Sequence, residues 1–333
     1  MDSLGAYLIT PEDFWPGDTL ADRDLVVVDV RKGADLPCDT RLPPVPIIAI
    51  GESCGWADVV VPRSANAAAL ADNVLANPRA AAVIVQLLRM LPHIDLEQGL
   101  VAESFAFALL QGSAEHHRWV AARRAAAAGD APDLSDPPAP GSVEITREDD
   151  VLTVLINRPW AGNAIDRPIR DGLVEAFDLA ALDHSIRTVQ LRGAGKAFSL
   201  GADLHEFGTT SDPATAHHIR QLTLPAAAAA RCADRLDVQV QGACVGSGLE
   251  LACYAKRLTA SPRAWFQLPE LAMGILPGAG GCVSLTHRIG RQKTAAMILS
   301  GHRLTARQAL GWGFIDAIVE DDPASRDGGA DAG

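Results

Sequence analysis

The chain has 333 residues and a formal net charge of −12, and 48% of its residues are hydrophobic, enough to fill a sizeable core in one large domain or two modest ones. The acidic balance argues against a nucleic-acid surface, which needs clustered Lys and Arg. It leaves room for a small anionic ligand, because helix N-termini and a few arginines can hold phosphates. No apolar run is long enough to cross a bilayer, and the N-terminal MDSLGAYLITPEDFWPGD is acidic rather than basic. A soluble, unexported, cytoplasmic protein with no membrane partner is therefore expected. The six cysteines are scattered without a C-x-x-C pair and read as reduced, space-filling thiols. The pairs His116–His117 and His217–His218 lack a second ligand cluster at metal spacing, so no metal is expected and both pairs read as solvated helix faces.

In chain order, LVVVDV, PIIAI and ADVVV are short strand candidates. Apolar positions at three-and-four spacing then predict packed helices from Ala65 to Leu91 and from Leu96 to Arg124. The stretch from Ala125 to Ser142 is rich in Ala, Pro, Asp and Gly without an apolar period, which predicts an exposed linker over 125–142 between two regions. The C-terminal region opens with a hairpin, VEIT and VLTVLIN around a polar turn at Arg147–Asp150. RPWAGNAI is a loop, Arg167–Leu182 a helix, and Thr188–Leu191 a buried strand. Pro213–Cys232 is helical with a break at Pro225, Leu236–Val240 is a strand, and a buried helix runs through Leu249–Ala255. Helices follow at Cys282–Ile289, Gln292–Leu299 and Thr305–Leu310, the last with Thr305 as N-cap, before a final strand at Phe314–Val319. Repeated strand-then-helix units predict an α/β fold. The end, 322–333, is polar and small-residue rich and is expected to be disordered.

Two glycine turns stand out. Gly201 precedes Ala202 in KAFSLGADLHEF, where a tight turn can aim a backbone N–H at a ligand. Gly246-Ser247-Gly248 follows a strand and opens a helix, whose first N–H groups have no internal partner and carry the positive end of its dipole. Two carboxylates accompany these donors, Glu250 in GLELA and Glu270 in FQLPEL. Backbone donors beside two carboxylates can polarise a thioester carbonyl while protons move next to it.

The order LINRPWAGNAI, AFSLGAD, QGACVGSGLELA, FQLPELAMGILPGAGG resembles the enoyl-CoA hydratase/isomerase (crotonase) family from Ser142 to Asp321. The resemblance implies an α/β, crotonase-like spiral of ββα units over 143–321, an acyl-CoA substrate, and assembly as a homotrimer or a dimer of trimers. By position it implies that the N–H groups of Ala202 and Ser247 form an oxyanion hole and that Glu250 and Glu270 are the catalytic pair. Leu200, Gly201, Asp203, Gly246, Gly248 and Gly278 then border the substrate. Glycine is typical where Ser247 stands, so a hydroxymethyl group is added at the pocket; Trp160 stands where many members carry lysine, which puts a ligand contact there in doubt. The implied reaction is hydration of a 2-enoyl-CoA to a 3-hydroxyacyl-CoA, with coenzyme A as part of the substrate and no other cofactor. An enoyl-CoA isomerase and a non-catalytic acyl-CoA-binding protein are the alternatives.

Family members continue past the last strand with helices that complete the pocket, whereas here the core motif ends near Val319. The region 1–124 resembles that missing part: CGWADVVVPRSANAAALADNVLANP is similar to the passage that follows the last motif, and GWADVVV echoes GWGFIDAIV. The N-terminal helices are therefore expected to pack on the core, with Arg118, Arg123 and Arg124 as candidate partners for coenzyme A phosphates.

Overall fold

A computed structural model of the chain describes residues 7–10, 23–32, 41–128 and 138–320. The centre of the expected linker and the expected disordered tail at 322–333 lie outside these residues. In the N-terminal region β1 (Leu8–Ile9), β2 (Val26–Asp29), β3 (Ile47–Ile50) and β4 (Val59–Val61) form a parallel sheet in chain order. Short β-branched runs buried on both faces suit that pairing. Val27 and Ile48 face the main core, while Val26, Val28, Ile47 and Ala49 close a small second one.

Four helices follow: α1 (Ser64–Ala76), α2 (Pro78–Met90), α3 (Leu96–Gln111) and α4 (Ala114–Ala128). Each of the two long helices expected from the apolar spacing is thus broken. Pro78 offers no N–H and drives Asn77 out of helical geometry, so the chain bends by 108° there. Gly112 and Ser113 separate α3 from α4. The start of α3 is fixed by a capping box in which Asp95 and Gln98 satisfy each other's backbone N–H.

The C-terminal region begins with the hairpin β5 (Ser142–Glu148) and β6 (Val151–Asn157), which turns at Asp149 with φ 51°. Leu152, Val154 and Ile156 point inward from β6, the alternation visible in VLTVLIN. Then come α5 (Arg167–Leu182), β7 (Thr188–Gly193), α6 (Pro213–Thr223), α7 (Pro225–Arg231), β8 (Leu236–Val240), β9 (Ala243–Val245) and α8 (Gly246–Ala252). After these lie β10 (Arg257–Ala260), β11 (Trp265–Gln267), a 3₁₀ turn at Glu270–Met273, α9 (Gly281–Ile289) and α10 (Arg291–Ser300). The described chain ends with β12 (Leu304–Thr305), α11 (Ala306–Gly311) and β13 (Ala317–Ile318). Thr305 caps α11 in a second capping box, with Gln308.

The main sheet has the order β13-β10-β8-β7-β6-β5 and is parallel except at the β5–β6 edge; a second sheet has the order β12-β11-β9. The chain lays β8 in the first sheet and β9 in the second before α8, then β10 and β11 before the turn and α9. This is the expected crotonase-like α/β spiral of ββα units. Strands β9 to β12 have two to four residues each, too few to show a period in the sequence. The buried helix expected at Leu249 begins three residues earlier, because Gly246 to Gly248 are themselves its first turn.

The N-terminal helices pack on this core as one continuous apolar cluster. Helices α1 and α2 lie on α10, α3 on α6 and α9, and α4 on the 270–273 turn. Asn73 donates to Ser300 O at 2.9 Å, and Arg291 and Gln292 donate to the carbonyls of Gly55, Cys54 and Ala57. Both ends of the expected linker are ordered. Ala125–Ala128 complete α4, since alanine is the best helix former. Before β5, the buried guanidinium of Arg158 takes the carbonyls of Pro138 and Ala139, and Asp166 takes the Gly141 N–H at 2.8 Å.

The expectation of solvated histidine faces is corrected at His116. That ring is buried, stacks on Trp119, and its Nδ1 lies 2.9 Å from Met273 O. His217 stacks on Phe105 and its Nδ1 lies 2.8 Å from Ser104 Oγ. Packing between helices, invisible in a local sequence window, claims both rings. Among the described residues no group of three or more His, Cys, Asp or Glu could hold a metal ion, and no single helix is long and apolar enough to cross a membrane.

Candidate active site

The two glycine turns meet. Ser199 N–H donates to Ala243 O at 3.1 Å and Val245 N–H to Ser199 O at 2.9 Å, stitching the 199–202 segment to β9. Gly201 has φ +91° and Gly246 φ +48°, both in the left-handed region where side chains are strained. A Cβ on Gly246 would stand 3.6 Å from Gly201 Cα and 2.9 Å from Glu270 Oε1, so only glycine lets these three groups converge. Among the described residues the N–H groups of Ala202 and Ser247 find no acceptor. Ser247 is the second residue of α8, where a helix leaves its N–H groups unpaired. Both residues line a cavity of about 520 Å³.

Glu250 and Glu270 line the same cavity. Glu250 is 2% exposed, and its Oε2 accepts from the N–H of Ala279 at 2.6 Å and of Gly281 at 2.9 Å. A Cβ on Gly281 would stand 2.3 Å from Glu250 Cγ, so the last glycine of PGAGG makes room for that side chain. Burial pushes the Glu250 carboxyl up to about 7, against the pull of those two N–H groups and of Arg220. Glu270 is 8% exposed and opens the 3₁₀ turn. Burial, and then the neighbouring Glu250 charge, hold its carboxyl well above the ordinary range, and its Oε2 has no hydrogen-bond partner among the described residues. One carboxyl near 7 and a second held above the ordinary range, beside two unpaired N–H donors, can move protons next to an oxygen held by the main chain.

The other expected border residues divide. Leu200, Gly201, Gly246 and Gly278 line the cavity. Gly248 packs instead, since a Cβ there would run into Ser199 at 2.4 Å. The Asp203 carboxylate is taken up by Arg158 at 2.8 Å and by the backbone N–H and ring Nδ1 of His205 at 2.9 and 2.8 Å, so it braces the loop; Asp203 borders an adjoining cavity of about 410 Å³. Arg118 turns to Ala76 O and Asn77 Oδ1 and Arg124 to Gly208 O, and neither these nor Arg123 line either cavity. Arg167 and Arg170 do face the adjoining one. Trp160 donates to Ala139 O at 3.2 Å and lines neither cavity.

Glu103, Phe107, Trp119 and Arg220 are among the cavity or near-cavity residues that escape the sequence motifs. Glu103 on α3 is 2% exposed and accepts from Gly280 N–H at 2.6 Å and Val283 N–H at 3.2 Å, capping α9 from across the fold. Burial, and then the Glu250 charge, push its carboxyl well up. Two carboxyls from different elements thus share the N-terminus of α9. The Phe107 ring fills the space a side chain at Gly278 would need, and Phe107 and Trp119 wall the main cavity. A signal did exist: Gly99, Glu103 and Phe107 recur every four residues on one buried stripe, and an acid on an apolar stripe needs a partner.

A sequence profile described as enoyl-CoA hydratase/isomerase matches residues 146–326, just over half of the chain. The chain is 35% identical over 179 residues to the 2,3-dehydroadipyl-CoA hydratase of Escherichia coli K12, a match covering 54% of this chain and 69% of that protein. It is 34% identical over 192 residues to a mevalonyl-coenzyme A hydratase of Beauveria bassiana, covering 55% and 69%. Among solved structures, an enoyl-CoA hydratase/carnithine racemase from Magnetospirillum magneticum superposes with a TM-score of 0.50 at 31% identity, over 55% of this chain and 69% of that one. Motif order, spiral topology and these matches agree: the chain belongs to the enoyl-CoA hydratase/isomerase family.

Proposed function

We propose that the protein hydrates a 2-enoyl-CoA thioester to the 3-hydroxyacyl-CoA. The observation that carries this reading is the convergence of two buried carboxyls, Glu250 and Glu270, on a cavity lined by the unpaired N–H groups of Ala202 and Ser247. In the proposed reaction the thioester oxygen accepts from those two N–H groups. Glu250 takes a proton from water as its oxygen bonds to the β carbon. The π electrons of the double bond move toward the thioester oxygen, and the resulting enolate takes a proton at the α carbon from Glu270. Water is thereby added, and the two carboxyls exchange their protons with solvent before the next turn. One such main-chain donor is worth about 3–4 kcal/mol of barrier in comparable sites. The elevated carboxyl affinities support the division of labour, since Glu250 near 7 is partly ionised as a base while burial and the Glu250 charge shift Glu270 toward the protonated form an acid needs. Only protein groups and water enter this scheme, with coenzyme A as part of the substrate.

The test is turnover of crotonyl-CoA in heavy-oxygen water. Label should enter the product, and Glu250→Gln and Glu270→Gln should each lower turnover by at least about a hundredfold while thioester binding survives. Double-bond migration without label would make the protein an isomerase. Binding without turnover would make it an acyl-CoA carrier, and near wild-type hydration by either variant would remove that residue from the scheme.

A further inference from the structure

Arg220, on α6, stands where the main cavity and the adjoining one meet. Its guanidinium carbon lies 3.8 Å from the Phe107 ring centroid, so the charged plane rests on an aromatic face that in turn abuts Gly278. Of its five N–H donors, the described residues use one, Nη2 to Gln111 Oε1 at 3.3 Å, and Nε has no partner. The carboxyls close enough to act on its charge are Glu103 and Glu250. Neither forms an ion pair with it: Glu103 holds Gly280 and Val283, and Glu250 holds Ala279 and Gly281. Phe107, Leu224, Leu251 and Leu276 give the main cavity it lines an apolar wall, and Glu206, which lines both cavities, accepts from the Arg167 N–H at 3.0 Å. A largely desolvated cation with spare donors, fixed in orientation by stacking, is built to receive an anion, and a planar guanidinium fits a carboxylate with two parallel hydrogen bonds.

Resting on the hydration reading above, we propose that Arg220 receives a carboxylate at the far end of the acyl chain, so that dicarboxylic enoyl thioesters are the substrate class. A thioester oxygen at Ala202 and Ser247 sets the β carbon beside Glu250. The Phe107 ring on which Arg220 lies abuts Gly278, whose neighbour Ala279 holds Glu250, so the guanidinium stands on the Glu250 side of the cavity. Phe107 orients the guanidinium and closes the wall at Gly278. The N-terminal helix α3 thus supplies the platform on which the selective group is held.

The experiment measures binding of saturated thioesters, which cannot be hydrated, to the full-length protein by titration calorimetry. The pairs are adipyl-CoA against hexanoyl-CoA and glutaryl-CoA against pentanoyl-CoA, with free coenzyme A as a third arm. In at least one pair the dicarboxylic ligand should bind about tenfold to a hundredfold more tightly, the range for a hydrogen bond to a charged group. Arg220→Met should bring that ratio to about one, and Arg220→Lys should keep part of it. No preference in the wild type overturns the proposal, whether or not the methionine variant folds. So does an Arg220→Met variant that weakens free coenzyme A as much as adipyl-CoA, which would assign the group to a coenzyme A phosphate. So does one that weakens hexanoyl-CoA equally, which would make Arg220 a brace for Glu103 and Glu250. Because nothing is turned over, a failed hydration assay leaves this result standing, and the converse holds.

Discussion

Glu103→Ala is expected to weaken both the fold and the chemistry, from a position that none of the sequence motifs contains. Its carboxyl is the acceptor for the Gly280 and Val283 N–H groups at the start of α9, and at 2% exposure no bulk water can take its place. Leaving a buried donor unsatisfied costs about 1–3 kcal/mol, so two donors cost about 2–6 kcal/mol, with a further contribution from the cavity left by the side chain. At about 2–4 °C per kcal/mol, the midpoint of thermal unfolding should fall by about 4–24 °C. Gly280 lies between Ala279 and Gly281, whose N–H groups hold Glu250 at 2.6 and 2.9 Å. Freeing it loosens that grip, and a misplacement of the order of 1 Å at a reacting group can cost about a hundredfold in rate. The assay pairs calorimetric unfolding of the full-length protein with crotonyl-CoA turnover at a temperature where the variant remains folded. Glu103→Gln keeps a carbonyl oxygen for one of the two donors and should recover at least half of the lost stability. An alanine variant that unfolds within about 2 °C of the wild type with unchanged turnover would refute the capping argument.

Under the proposed hydration, kcat/KM should rise with pH through about 7 as Glu250 ionises; a flat profile between pH 5 and 8 would contradict the base role of Glu250. The same group ties stability to pH. Between the ordinary value of 4.5 and about 7 the folded chain keeps the Glu250 proton that the unfolded chain releases, so this contribution is full below 4.5 and is lost as pH rises through about 7. Urea unfolding at pH 5 and pH 8 should show a smaller loss in Glu250→Gln than in the wild type, and an equal loss would refute the assignment. Ser247→Ala should keep most activity because the N–H remains, whereas Ser247→Pro should abolish it; an active proline variant excludes Ser247 as the donor. A chain beginning at Ser142 uncovers the apolar faces of α9 and α10 that α1 to α3 cover, and should aggregate or lose acyl-CoA binding. A soluble, fully active protein of that length would show the N-terminal helices to be dispensable.

Much of the architecture could be read in advance because it is local. Helix α5 has the bounds its spacing predicted, Arg167–Leu182, with Asp166 as its cap and Pro168 in its first turn. Strand β8 likewise spans the predicted Leu236–Val240, and Thr305 caps α11. The glycine turns and the two glutamates were visible because a turn and a helix start leave fixed signatures over a few residues. The resemblance over Ser142 to Asp321 added the order in which they converge.

Only the tertiary structure decided what those residues meet. Asp203 and Gly248 sit inside the motifs, yet one braces Arg158 and His205 and the other makes room for Ser199. Those partners are distant in sequence or across a turn, and no periodicity encodes them. His116, read as solvated, is buried because α4 lies on the 270–273 turn. Glu103 is 177 residues from Gly280. Its sequence neighbourhood shows an acid on an apolar stripe but not the helix N-terminus it satisfies. The sequence by itself determined the local frames, the candidate carboxyls and the expectation that the first helices serve the last core. The fold decided which buried donors, rings and charges close around them, because desolvation and hydrogen-bond satisfaction depend on every element that packs at a point, whatever its place in the chain.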